Sequence, residues 1–106
     1  MRRAAKKDKN HNAITEALKQ IPGVVILDLH QLKNACDCIV GYRGKLYLME
    51  IKNPEYLPKE YDNERLIKAL TDGEKQFYDY FQKADCEPHI VCTVDEALEV
   101  IGVKNQ

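Results

Sequence analysis

The sequence predicts an α/β domain, a mixed β-sheet flanked by helices in the order α-β-β-β-α-β-α. Three observations lead there. β-Branched apolar runs of strand length alternate with stretches of helical spacing. Two Ser/Thr-x-x-Glu signatures, Thr71…Glu74 and Thr93…Glu96, mark helix starts on either side of the last strand. The first three strands follow one another through short connectors, whereas the fourth returns only after a helix, which forces a crossover and hence a mixed sheet.

The elements follow in order. Residues 1–9 read as a flexible basic arm and residues 10–106 as one domain. Asp8 or Asn10 caps a first helix running to about Gln20, with Ile14, Ala17, Leu18 and Ile21 as its apolar stripe, and Pro22-Gly23 ends it. Residues 24–29 form a β-branched strand and 30–35 a polar connector. A hairpin occupies about 36–42 and 45–52, turning at Arg43-Gly44. Residues 53–69, with Pro54, Pro58 and alternating charge, are the long connector, holding one helical turn over 65–69. A helix follows to about Lys83, with Phe77, Tyr78 and Phe81 as its stripe. Residues 89–94 are a strand, and a last helix buries Ala97, Leu98 and Ile101 before Gly102 stops it.

The hairpin carries the chemistry. A two-residue turn pairs Tyr42 with Lys45, and counting back along the ladder sets Asp37 opposite Glu50. Cross-strand partners share a face, with Cβ atoms roughly 4.5–5.5 Å apart. Lys52, two residues beyond Glu50, shares that face. Both alternation sets of the hairpin are mostly apolar, which argues for strands covered on both sides. Two facing carboxylates among Ile39, Val40, Leu46, Leu48, Met49 and Ile51 need a counter-charge. A hard divalent cation such as Mg²⁺ supplies it, taking one or two carboxylates and keeping several waters. The plainer reading makes Asp37 a turn cap and Glu50–Lys52 a surface pair; the register and the apolar flanks favour the metal site.

Composition sets limits. At 106 residues, 44% hydrophobic and 31% charged, the chain has the make-up of a soluble globular domain with a single core. Its net charge of −1 is no global signature of nucleic-acid binding. The charge is uneven, however: Arg2, Arg3, Lys6, Lys7 and Lys9 crowd the N-terminus. Lys33, Lys45 and Lys75 are weaker candidates for phosphate binding. No apolar run approaches the roughly 18 residues of a membrane span, and no signal peptide follows the basic start. Cys36, Cys38, Cys86 and Cys92 read as small buried hydrophobes in a reduced cytoplasmic setting rather than as a zinc site, for which His89 is the one nearby fourth ligand. His11 reads as an exposed helix residue. Tyr42 and Tyr47 pack on the face opposite Asp37.

Four stretches, in this order and spacing, carry a resemblance over nearly the whole chain. They are Arg2-Arg-Ala-Ala-Lys-x-Asp8-x-Asn10, Cys36-Asp37-Cys-Ile-Val-Gly41-Tyr-Arg-Gly44, Leu48-Met-Glu50-Ile-Lys52, and the closing Leu70-Thr71-x-x-Glu74 with Val94-Asp-Glu-Ala97-Leu. Together they resemble the PD-(D/E)XK nuclease superfamily, and more narrowly its small stand-alone, phage-type VRR-NUC and Holliday-junction-resolvase-like members. Cys36 stands where that group prefers Pro. At the aligned position for its first-helix acid the chain has Ala13, which leaves Asn10 or Glu16 as accessory candidates.

The resemblance implies a restriction-endonuclease-like core and a Mg²⁺- or Mn²⁺-dependent DNA endonuclease, structure-selective for branched or junction DNA. Asp37, Glu50 and the backbone carbonyl of Ile51 would hold the cation. Lys52 would orient the attacking water and stabilise charge on the phosphorane, an electrostatic role rather than that of a base. It further implies a homodimer, and host cytoplasm if the chain is phage-encoded. The basic arm would steer the polyanion. Two rival classes stand beside it: a catalytically silent DNA-binding or inhibitory module on the same scaffold, and a protein-interaction domain stapled by zinc.

Overall fold

The computed structural model describes residues 9–103, with Lys9 by its backbone only. Helix α1 spans Lys9–Lys19, followed by β1 (Val25–Asp28), β2 (Cys38–Tyr42) and β3 (Lys45–Ile51). A 3₁₀ turn at Pro54–Tyr56 leads to α2 (Asn63–Lys68) and α3 (Asp72–Lys83), then β4 (His89–Val91) and α4 (Val94–Val100). The sheet is open and mixed, in the order β1-β2-β3-β4. β1, β2 and β3 are antiparallel and β4 runs parallel to β3.

The hairpin register is local in origin. Arg43 and Gly44 both take positive φ (50° and 81°), the pair that a two-residue turn matched to strand twist demands. Tyr42 therefore faces Lys45, and the pairing runs regularly to Cys38 opposite Met49.

Alternation along the strands sorts side chains into two cores. Cys38, Val40, Met49, Ile51 and Val91 pack with Ile14 and Leu18 of α1 and Ala97 and Leu98 of α4. Tyr42 and Tyr47 lie against this same cluster, as expected. On the other face, Ile90 and Cys92 pack with Leu66 of α2 and Tyr78 of α3. Helices thus cover both faces, but unevenly. On the face of Glu50, the first three strands leave Val25 (71%), Leu27 (58%) and Leu46 (78%) exposed. The expectation of strands covered on both sides holds only at the Glu50 end of β3.

The long connector carries more structure than its prolines suggest. Asn53 accepts the Glu55 N–H at 2.9 Å to start the 3₁₀ turn, and Asp62 accepts the Arg65 N–H at 2.9 Å to cap α2. α2 is a full element beyond the predicted order, because burial of Leu66 against Ile90 and Cys92 fixes it. Thr71 and Glu74 form the reciprocal capping box. The second signature is only half realised. Thr93 accepts the Glu96 N–H at 3.1 Å, but the Glu96 carboxylate takes the Cys92 N–H at 2.7 Å and the Tyr61 hydroxyl at 2.9 Å. Of the four cysteines, Cys36, Cys38 and Cys92 are buried; Cys86 is exposed, contrary to expectation, and all four are free thiols.

Candidate functional site

The ladder between β2 and β3 stops one residue short of Asp37, and this defines the site. The Asp37 N–H donates to Met49 O at 3.0 Å, and its carbonyl accepts the Leu29 N–H at 2.7 Å. Its carboxylate Oδ2 accepts the Ile51 N–H at 2.7 Å. A short acidic side chain here replaces the backbone acceptor that the next ladder step would have supplied. Asp37 is thereby pinned against β3 beside Glu50, with Oδ1 left facing the His30 ring 3.6 Å from Nδ1.

Glu50 points to the α2–α3 side and is only 6% exposed. Burial, then the charges of Asp37 and Glu74, push its carboxyl up to about 10, with Lys52 opposing weakly. Cys36 and Cys38 are raised to about 11 and about 12, chiefly by burial and with the acids nearby adding to it, so these thiols stay protonated at neutral pH.

Lys52 reaches across to α3. Its Nζ donates to Glu74 Oε1 at 2.5 Å, and that oxygen also accepts the Thr71 N–H at 2.9 Å. Burial would raise the Glu74 carboxyl, but the hydrogen bonds from Lys52 and Thr71 outweigh it and hold the group below its ordinary value. The start of α3 is seated by contact: a Cβ at Gly73 would collide with the side-chain oxygen of Asn34 in the connector before β2.

The third acid of the cluster is therefore Glu74, which the sequence disguises as a capping residue. Glu16 is exposed and sits 3.5 Å from Lys19 on the surface of α1. Asn10 does not cap α1. Its Nδ2 donates to Lys52 O at 2.7 Å and to Cys92 O at 3.0 Å, clamping the ends of β3 and β4 beside the site. Ile51 contributes its N–H to Asp37, while its side chain lies in the core. Lys75 is engaged by Asp79 at 2.8 Å and 2.9 Å, and Lys33 and Lys45 are exposed. Arg2, Arg3, Lys6, Lys7 and the Lys9 side chain lie outside the described residues.

His11 departs from expectation most clearly. It is 2% exposed, on the inward face of α1, with Nε2 3.4 Å from Asp28 Oδ2. Its ring meets that of His30 edge-on, centroids 5.0 Å apart. The signal was present in the helical spacing His11, Ile14, Thr15, Leu18, which puts the imidazole on the apolar stripe. Asp28 Oδ1 accepts the backbone N–H of His30 at 2.8 Å, so one carboxylate at the end of β1 engages the His11 ring and the His30 main chain. One donor atom from each of His11, His30 and Asp37 lies within 4.8 Å of the other two.

Two donor sets thus meet at Asp37. One is oxygen only, from Asp37 and Glu50 with Glu74 behind them. The other contains the two imidazoles. Among the described residues, the buried side-chain polar atoms with no hydrogen-bond partner are Asn10 Oδ1 and the two ring nitrogens of His30, all at this end of the sheet. An open cleft of about 570 Å³ between Tyr61, Leu66, His89 and Val100 includes none of these groups. Comparison of the chain with protein-family models, with curated proteins and with solved structures finds no match. No helix among the described residues is long and apolar enough to cross a membrane.

Proposed function

We propose that the protein is a Mg²⁺- or Mn²⁺-dependent DNA endonuclease of the PD-(D/E)XK type, with Asp37, Glu50 and Lys52 as its catalytic residues. The observation that carries this reading is the meeting of Asp37, pinned by the Ile51 N–H, with the buried Glu50 and with Lys52 held by Glu74; burial and the neighbouring acids push the Glu50 carboxyl up, as in a site short of positive charge. The donor chemistry fits a hard divalent cation, held by Asp37 and Glu50. Such an ion, when bound, supplies Lewis-acid polarisation of the phosphate and a more acidic water.

The chain's own residues do the rest. Asp37 is oriented by the Ile51 N–H. Glu50 would hold the cation as a carboxylate, because cation and proton compete for the same oxygens. Lys52 offers its ammonium to the charge that develops on the scissile phosphate, and Glu74 sets the direction of that ammonium through a 2.5 Å hydrogen bond. The restriction-endonuclease-like core belongs to this reading; a three-strand antiparallel meander followed by a parallel fourth strand supports it. So does the basic N-terminal segment, a source of phosphate-binding cations for DNA, including branched DNA. A homodimer, one site per DNA strand, also belongs to it, and the exposed apolar strip of Val25, Leu27 and Leu46 supports a partner surface.

The test is cleavage of supercoiled plasmid and of a panel of junction, flap and nicked DNAs with Mg²⁺ or Mn²⁺, alongside Asp37→Ala and Lys52→Ala. Metal-dependent cleavage that disappears in both variants is the expected result. Absence of cleavage by the wild-type protein, or variants that match it, removes the assignment.

A further inference from the structure

We propose that His11, His30 and Asp37 form a second cation site, selective for a transition metal such as Zn²⁺, beside the oxygen-only pair of Asp37 and Glu50. The inference shares Asp37 with the nuclease reading but does not depend on DNA hydrolysis.

The first argument is the unmet valence of the histidines. Both ring nitrogens of His30 are shielded from water and lack a hydrogen-bond partner. Buried imidazoles normally donate from one nitrogen and accept at the other, so a ring with neither bond is rare and costly. Asp37 Oδ1 is near enough to pair with His30, yet at 3.6 Å it stands outside hydrogen-bonding distance. His11 is buried still deeper, and its 3.4 Å approach to Asp28 is long for a hydrogen bond.

The second argument is dimensional. Ligands about 2.0–2.1 Å from a tetrahedral ion stand roughly 3.3 Å from one another. The 3.6 Å separation of His30 Nδ1 and Asp37 Oδ1 is close to that edge length and longer than a good hydrogen bond. One donor atom from each of the three residues already lies within 4.8 Å of the others, brought together from α1, the connector after β1 and the residue just before β2. A small inward movement of the side chains closes the set around one ion.

The third argument is support. Metal-bound histidines are oriented by carboxylates behind them. Asp28 fills that place for His11, with Oδ2 3.4 Å from the ring Nε2, while its Oδ1 accepts the backbone N–H of His30 and fixes the chain that carries the second ring. Donor softness then sets the selectivity. Two imidazole nitrogens with one carboxylate suit Zn²⁺ or Fe²⁺, whereas Mg²⁺ and Mn²⁺ suit the oxygen set next door. Asp37 turns Oδ1 to His30 and holds Oδ2 on the Ile51 N–H next to Glu50, so it lies between the two sites.

The experiment is titration of the chelator-treated full chain with Zn²⁺ and Co²⁺, followed by the ring signals of its three histidines in NMR and by visible absorption. Shifts of His11 and His30 with His89 unmoved, at one equivalent, are expected. The Co²⁺ form is expected to show d–d bands without a thiolate charge-transfer band. His30→Gln is expected to weaken Zn²⁺ binding by roughly 10-fold or more, the loss that even an orienting partner produces, and to leave Mg²⁺ binding in place. Glu50→Gln is expected to do the reverse. Three outcomes overturn the proposal: no binding, movement of His89 in place of the other two, or a charge-transfer band that puts the metal on Cys36 and Cys38. Failure of DNA cleavage with these shifts intact removes the nuclease reading and leaves this site standing.

Discussion

Lys52 Nζ and Glu74 Oε1 lie 2.5 Å apart, joining the end of β3 to the first turn of α3 across 22 residues of chain. The same Glu74 oxygen closes the capping box through the Thr71 N–H. One carboxylate thus starts a helix and aims an ammonium. Glu74→Gln keeps a side chain able to complete a capping box and removes the charge that holds Lys52. The variant should lose about 1 kcal/mol or less of stability. Its kcat for DNA cleavage should fall roughly 10-fold or more, with KM little changed. Equal kcat values in wild type and variant would show that Lys52 does not depend on Glu74 for its position.

Glu50 gives a pH signature. Its folded-state value, about 10, stands above the ordinary 4.5 of an unfolded glutamate. Between those limits the unfolded chain sheds this proton while the folded protein keeps it, so the Glu50 contribution is complete below pH 4.5 and is lost as pH rises toward 10. Metal-free Glu50→Gln should therefore be more stable than wild type at pH 8 by about 1–3 kcal/mol, with a flatter dependence of Tm on pH. Mg²⁺ should raise the wild-type Tm more at pH 8 than at pH 5, because cation and proton compete for the same oxygens. Thermal melts across pH decide it; a variant less stable than wild type at pH 8 contradicts the assignment.

Asp37 separates structure from chemistry by choice of replacement. Asn at this position keeps an oxygen for the Ile51 N–H, whereas Ala leaves that N–H unpartnered. Asp37→Asn should retain most of the fold stability and lose cation binding by calorimetry. Asp37→Ala should lose the binding and a further ~1–2 kcal/mol in chemical denaturation. If the two variants unfold at the same denaturant concentration, the side-chain hydrogen bond to Ile51 contributes nothing.

Asn10 is expected to matter for the sheet rather than for chemistry. Its amide bridges Lys52 O and Cys92 O, and Asn10→Ala should cost about 1–3 kcal/mol. Faster hydrogen exchange at the C-terminal ends of β3 and β4 should accompany the loss. Protection equal to wild type at these ends would rule out the clamp.

The basic segment is testable by truncation. Deleting residues 1–8 removes Arg2, Arg3, Lys6 and Lys7. DNA affinity should fall, and the slope of log K against log salt should drop by about 0.9 for each phosphate that the shortened chain no longer neutralises. An unchanged slope in a fluorescence titration would show that these cations do not touch DNA.

Features that depend on near neighbours were legible in the residues. Arg43-Gly44 set the hairpin turn, and the turn set the register through to Cys38 and Met49. Thr71 and Glu74 started α3, and strand alternation assigned Tyr42, Tyr47 and Met49 to one face and Glu50 and Lys52 to the other. These outcomes follow from backbone dihedrals and from side-chain period, which act over a few residues.

Where distant groups meet was settled by packing across the whole fold. Glu74 reaches Lys52 because the first turn of α3 is brought beside the end of β3, with Gly73 seated on Asn34. Asp37 leaves the ladder because its carboxylate takes the Ile51 N–H. Asn10, an apparent cap, became a clamp on two strand ends. His11 and His30, far apart in the pattern of the chain, converge on Asp37 because α1 lies across the end of β1, where Asp28 engages both. Helix packing angles and the burial they impose are set by the whole core acting together, and no local pattern of residues encodes that sum.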